Sequence, residues 1–322
     1  MNRLKFEGNG FDFFKILFVD VALAIVSLTL LYPRAIVREA RYLWSETSLG
    51  GSAFEFRGTT KLAFNGYMKT LLFVVIYLPL ILVAEGLIFA KLNNEVPLLL
   101  SYIYSLTIVI FAFMLTPLIL HGDLNYFTNN TAWRSVTASY KGKLSELADI
   151  SLRGCILSVL TLGIYTAWFE TQTYKYMMEN LRFGSLRFGY SGSSKDLFKI
   201  YLKGFLLGIV TLGIYNIWSF RDMYNYTIDH TVVRKGEQEF NLHSDANTRE
   251  VFEMLIGNVL LIVLTLGLGT SWAIVRFSRF MMNHCVVPAA FNLDSIEYNE
   301  QEEEPEVPSG HWLDKWNPML IA

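Results

Sequence analysis

One phrase recurs three times and limits what this chain can fold into. Thr161–Trp168 reads TLGIYTAW, Thr211–Trp218 reads TLGIYNIW and Thr265–Trp272 reads TLGLGTSW. Each copy closes an apolar run and opens a stretch rich in Tyr, Arg and Asn. The copies start about fifty residues apart, so the chain is built from a repeating unit, and a period of that length points to stacked supersecondary units.

The unit is longer than the phrase. It opens with aromatic-x-aromatic-x-Gly, as in Phe54, Phe56, Gly58 and Phe188, Tyr190, Gly192, with weaker copies at Phe6–Gly8 and Tyr140–Gly142. An apolar run follows, then the phrase, then a polar aromatic helix carrying, in different copies, Tyr174, Tyr176 and Asn180, or Arg221, Tyr224, Tyr226 and His230, or Arg276, Arg279 and Asn283. The first unit is degenerate, with Leu28–Tyr32 (LTLLY) in place of the phrase, and the second has grown by insertion of Tyr67–Leu120. The organisation expected is a degenerate repeat over 1–66, an inserted hairpin over 67–131, three repeats over 132–287 and a disordered acidic tail over 288–322, rich in Glu, Gln and Pro.

Composition suggests lipid as the solvent for the runs. The chain is 52% hydrophobic and 17% charged, against about 25% charged in ordinary soluble domains. Six runs approach or exceed the roughly 20 residues that cross a hydrocarbon core: 13–32, 67–90, 96–120, 150–168, 197–218 and 251–275. The expectation is an all-α, multi-pass integral membrane protein of about fifty-residue repeats, with the lipid bilayer as its partner. A net charge of −2 with scattered Lys and Arg offers no nucleic-acid surface. Between the runs, Leu181–Gly192 around Gly184-Ser185 and Val232–Leu242 around Lys235-Gly236 read equally well as short hairpins or irregular loops.

Two arrangements fit the charges. Six simple crossings leave positive charge evenly divided between the two sides, whereas orientation is normally set by its asymmetry. If each repeat instead enters the bilayer and returns to the same face, the phrase is a turn and Gly163, Gly213 and Gly267 end the first helix at the C′ position. Only 67–90 and 96–120 then cross. The simpler alternative makes each phrase a kink in an ordinary span, with Tyr165, Trp168, Tyr215, Trp218 and Trp272 in the aromatic belt.

The phrase TLGIY-x-x-W, followed by a Tyr/Arg/Asn-rich helix and F-x-[FY]-x-G, resembles the YjgN-like family of bacterial inner-membrane proteins, a family of unknown function. The likeness covers most of Tyr140–Val287 and weakly Phe6–Gly58. It departs at Leu268-Gly269, where Ile-Tyr is expected. It implies an inner (plasma) membrane location and brings no catalytic residues.

No nucleotide-binding glycine loop, metalloprotease motif or nucleophile elbow is present, and the histidines are isolated in sequence. The expectation is therefore no enzyme, no cofactor and no metal. Ionisable residues within apolar runs are costly in lipid and mark function by default, which singles out Asp20, Glu85 and Lys203. Two roles stand open: a non-catalytic membrane scaffold or lipid-associated protein, and a small-molecule or ion transporter or channel whose site those charges line. Convergence of Asp20, Glu85 and Lys203 on one cavity separates the second from the first.

Overall fold

The repeats form a ring. In the computed structural model, which describes residues 2–91, 115–288, 293 and 296, eleven short strands make one antiparallel sheet. In chain order they are β1 (Asn2–Phe6), β2 (Thr47–Leu49), β3 (Ser52–Phe56), β4 (Thr131–Trp133), β5 (Val136–Tyr140), β6 (Leu181–Phe183), β7 (Leu186–Tyr190), β8 (Thr231–Lys235), β9 (Gln238–Asn241), β10 (His243–Ser244) and β11 (Cys285–Val287). Each strand pairs with its neighbour in sequence, from β1–β2 through to β8–β9. The far end is β10–β11–β1, with Asn2 opposite Val287. Since β9 and β10 are joined by Leu242 alone, the two ends of the sheet meet through the chain. The N-terminal strand therefore closes the ring against the last strand.

Each strand pair carries one helical hairpin. The outgoing helices α1 (Gly10–Val26), α5 (Leu144–Leu160), α7 (Ser194–Val210) and α9 (Thr248–Leu264) all have 17 residues. The returning helices α2 (Tyr32–Ser45), α6 (Thr166–Glu179), α8 (Asn216–Asp229) and α10 (Thr270–Asn283) all have 14. The grown second unit has α3 (Thr60–Lys91) and α4, described over 115–129. Neighbouring hairpins pack side by side through α2–α3, α6–α7, α8–α9 and α10–α1.

The motifs seen in sequence have local causes. In β5, Val136, Ala138 and Tyr140 are buried and alternate with half-buried residues, the period of two of a strand with one covered face. Trp133, Leu186 and Val233 form a core with Phe54, Phe183 and Phe188, drawn from successive strand pairs. Leu293 is buried in the same core and Ile296 packs against it. The aromatic-x-Gly motif ends a strand. A Cβ on Gly8, Gly58, Gly142 or Gly192 would fall 2.2–2.5 Å from the ring of the aromatic residue two positions earlier. The ring lies across the glycine as the chain turns from strand into helix.

Three expectations are corrected. The protein is not all-α: the 181–192 and 232–242 segments are strand pairs of a continuous sheet. The runs around the phrase are not single spans. A 17-residue helix is about 25 Å long and a 14-residue one about 21 Å, both short of the ~30 Å core, and each run is broken by a turn. Among the described residues no helix is long and apolar enough to cross a membrane. This removes the support for a multi-pass inner-membrane protein. The run 96–120 lies mostly outside the described residues, as does most of the expected tail over 288–322.

Candidate functional site: the apolar hairpin tips

The phrase is the turn at the tip of each hairpin, and each of its residues has a separate task. Thr211 is the C-cap of α7, and its hydroxyl donates to the Leu207 carbonyl at 2.7 Å. The same oxygen accepts the N–H of Tyr215, the N-cap of α8, at 3.0 Å, so one side chain caps two helices. Leu212 takes a left-handed φ of 50° at C′, and Gly213 follows at 89°. Their N–H groups bond back to Ile209 and Gly208, the Schellman pattern. Thr161–Gly163 and Thr265–Gly267 repeat it, with Gly163 and Gly267 at φ 91°. The glycines were expected at C′. They stand one residue later, and a leucine occupies the strained position instead.

In the first unit Ser27-Leu28-Thr29 plays this part, with the N–H of Leu31 bonded to the Ser27 hydroxyl at 3.0 Å and φ of 48° and 69° at Leu28 and Thr29. The turn is therefore present where sequence showed only LTLLY. It begins one residue earlier, with serine replacing threonine as the double cap.

The position that costs backbone strain also carries the most exposed apolar side chain. Leu162, Leu212 and Leu266 are 95%, 94% and 95% exposed. Leu28, Val26, Leu160, Val210 and Leu264 beside them are also largely exposed. A left-handed non-glycine residue costs roughly 1–2 kcal/mol, and these leucines have no packing to offset it. The arms match in length, and neighbouring hairpins pack side by side around the ring. Residues 21–33, 154–169, 204–220 and 254–275 contain no charge. The nine residues from Lys203 to Leu212 rise about 14 Å.

The residues singled out in sequence are scattered over different hairpins. Asp20, buried in α1, pairs with Arg38 of α2 at 2.7 Å, and its second oxygen has no partner. Burial pushes its carboxyl upward and Arg38 opposes that shift. Lys203 stands exposed on α7 with its ammonium 5.7 Å from the Tyr215 ring, and its contact with that phenol pushes its pKa up. Asp20 and Lys203 are thus on different hairpins and have different partners. Glu85 lies on α3, and its side chain is outside the described residues. The tryptophans pack between units. Trp168 lies 5.4 Å from Phe198 of α7, Trp272 lies 5.3 Å from Phe14 of α1, and Trp168 and Trp218 stack on Tyr165 and Tyr215 at 6.1 and 5.8 Å.

Sequence reasoning looked for function in charges and passed over the leucines of the phrase. The signal was available: a leucine held at the centre of every copy, the first unit included, with no polar residue to satisfy.

The architecture defines a class: a ring of strand pairs bearing two-helix hairpins, four of which have described, apolar tips. The family model for a bacterial protein of unknown function (DUF898) matches residues 1–203, 185–240 and 222–311. The chain belongs to that family, which is the YjgN-like family of the resemblance. No curated protein and no solved structure gives a significant match.

Proposed function

We propose that the chain is a non-catalytic, lipid-associated scaffold that seats its hairpin tips in one leaflet of a lipid surface and holds the strand ring outside it. One observation carries this reading. Four tips present exposed leucine, isoleucine and valine side chains within charge-free segments. A monomeric protein in water rarely gathers so much exposed apolar surface. The depth of about 14 Å is near half of a ~30 Å core, so the tips enter without crossing. Arg34, Arg221 and Arg276, the first charges on three returning helices, stand where headgroups would begin. Helices that dip in this way bind in proportion to buried apolar area. The transport reading asks for charges gathered on one cavity, and Asp20 and Lys203 are on separate hairpins with separate partners.

The test is a triple variant, Leu162→Asp, Leu212→Asp and Leu266→Asp. These side chains are almost fully exposed, so the melting temperature in detergent should change by less than about 2 °C. Co-flotation with phospholipid vesicles should fall at least tenfold. Undiminished flotation overturns the proposal. A second measurement places a fluorophore on Leu212→Cys and quenches it with lipids brominated along the acyl chain. Absence of quenching also sinks it.

A further inference from the structure

A cavity of about 490 Å³ lies between the first hairpin and the second, walled by α2, α3 and α4. Its volume falls within the usual range for small-molecule sites. Glu39 of α2 and Asp123 of α4 both line it, and neither carboxylate has a hydrogen bond or ion pair among the described residues. The Arg38 guanidinium is bonded to Asp20, and it opposes the upward push that burial and Asp20 give the Glu39 carboxyl. No lysine or arginine lines the cavity among the described residues. Two carboxylates therefore line this space with no cation bonded to either among those residues.

The walls also carry aromatic rings. The rings of Tyr32 and Tyr67 meet at 5.7 Å, tilted by 55°, and Tyr126 lines the cavity from α4. Tyr67 is held by its hydroxyl bond to Thr29 at 2.8 Å, and Tyr126 by its bond to the Thr59 carbonyl at 3.0 Å. Burial pushes the Tyr32 phenol up, and the charges of Glu39 and Asp123 push it further in the same direction. Ile36, Leu118 and Ile119 complete the wall and are apolar.

We infer that this cavity binds an organic ammonium ion bearing a short alkyl chain, with the ammonium between Glu39, Asp123 and the tyrosine rings and the chain along Ile36, Leu118 and Ile119. An anion is refused by two unanswered carboxylates. A hydrated metal ion gains little from the aromatic faces, whereas an alkylammonium is attracted by both carboxylate and ring quadrupole, the combination that recognises ammonium ligands elsewhere. The inference does not rest on insertion of the tips, because the cavity opens between helices.

The experiment is calorimetric titration of the full chain, without vesicles, with hexyltrimethylammonium, hexanesulfonate and hexanol. The cation should bind at least tenfold more tightly than either of the others. Glu39→Gln should lower cation affinity about tenfold and leave hexanol unchanged, whereas Glu237→Gln, in the exposed β8–β9 turn, should change neither. Glu39 has no bonded partner to lose, so the variant is expected to fold. Asp123→Asn, at the mouth, provides a second variant with the same expected direction. Dihexanoyl phosphatidylethanolamine then distinguishes a lipid headgroup, if it matches the simple cation, from a free amine, if it binds more weakly. Equal affinity for cation and sulfonate overturns the inference, as does cation binding that Glu39→Gln and Asp123→Asn both leave intact.

Discussion

The hydroxyl of Tyr226 holds both backbone groups of Ser193, accepting its N–H at 2.6 Å and donating to its carbonyl at 3.0 Å. Ser193 is the N-cap of α7, and Tyr226 lies near the end of α8, so the bond closes the base of the hairpin. Tyr176 does the same to Lys143, and Tyr42 to Asn9. Tyr126 reaches the Thr59 carbonyl at 3.0 Å. In the fifth unit the equivalent residue is Phe280, and the neighbouring Arg279 bonds the Gly8 carbonyl of the first unit at 2.7 Å, as Arg41 bonds the Gly58 carbonyl of the second at 2.9 Å. Four helical hairpins are thus stapled at the base by a phenol, and four are turned at the tip by the hydroxyl of Ser27, Thr161, Thr211 or Thr265.

Tyr226→Phe should cost about 1–2 kcal/mol, because it deletes a part-buried donor and acceptor and leaves the Ser193 groups without their partner. The fifth unit shows that the ring alone fits the position. Thermal unfolding should shift down by about 2–4 °C for a chain of this size. Tyr215→Phe at a tip should shift it by less than 1 °C. Equal shifts would mean that the base staple has no special weight.

Thr211→Val keeps the shape of the side chain and removes the oxygen that caps α7 and α8. The expected loss is about 1–2 kcal/mol. Gly213→Ala should cost about 1 kcal/mol. The nearest atom to its added Cβ is 3.9 Å away, so the penalty comes from the φ of 89° alone. Gly192→Ala should cost more than either, since its Cβ would lie 2.3 Å from the Tyr190 ring. Chemical denaturation of the three variants gives the order, and a Gly192→Ala protein as stable as Gly213→Ala would refute it.

Arg38→Met leaves Asp20 buried without its partner, at a cost of about 3 kcal/mol. Asp20→Asn added to it should recover most of the loss, since Gly154, Gly204 and Asn258 occupy the matching place in the other hairpins. The effect should depend on pH with a definite sign. Burial already raises the Asp20 pKa in the folded state, and removal of Arg38 raises it further. A carboxyl with a raised folded pKa loses stability as pH climbs through that value. The gap between Arg38→Met and the wild type should therefore be widest near pH 8 and shrink towards pH 4. A gap that widens on acidification would contradict the pairing.

The sequence by itself determined the units and their turns. Thr161, Leu162 and Gly163 specify a cap, a left-handed step and a second left-handed step through local bonds between near neighbours, and such bonds recur wherever the residues recur. Gly184-Ser185 marks a two-residue hairpin by the same local logic. Tertiary structure alone decided the rest. Nothing local states that Asn2 pairs with Val287 across the length of the chain, or that two- to five-residue strands from all units join in one sheet. Strands so short gain stability from a neighbour on both sides, which every strand has except β9 and β10, the two ends joined through Leu242. The same applies to the tips. Sequence left the phrase open as a turn or as a kink in one span; the folded chain bends the run at Leu212 into two arms, each too short to cross. The cavity at Glu39 and Asp123 likewise arises from helices that meet only because neighbouring units of the ring stand side by side.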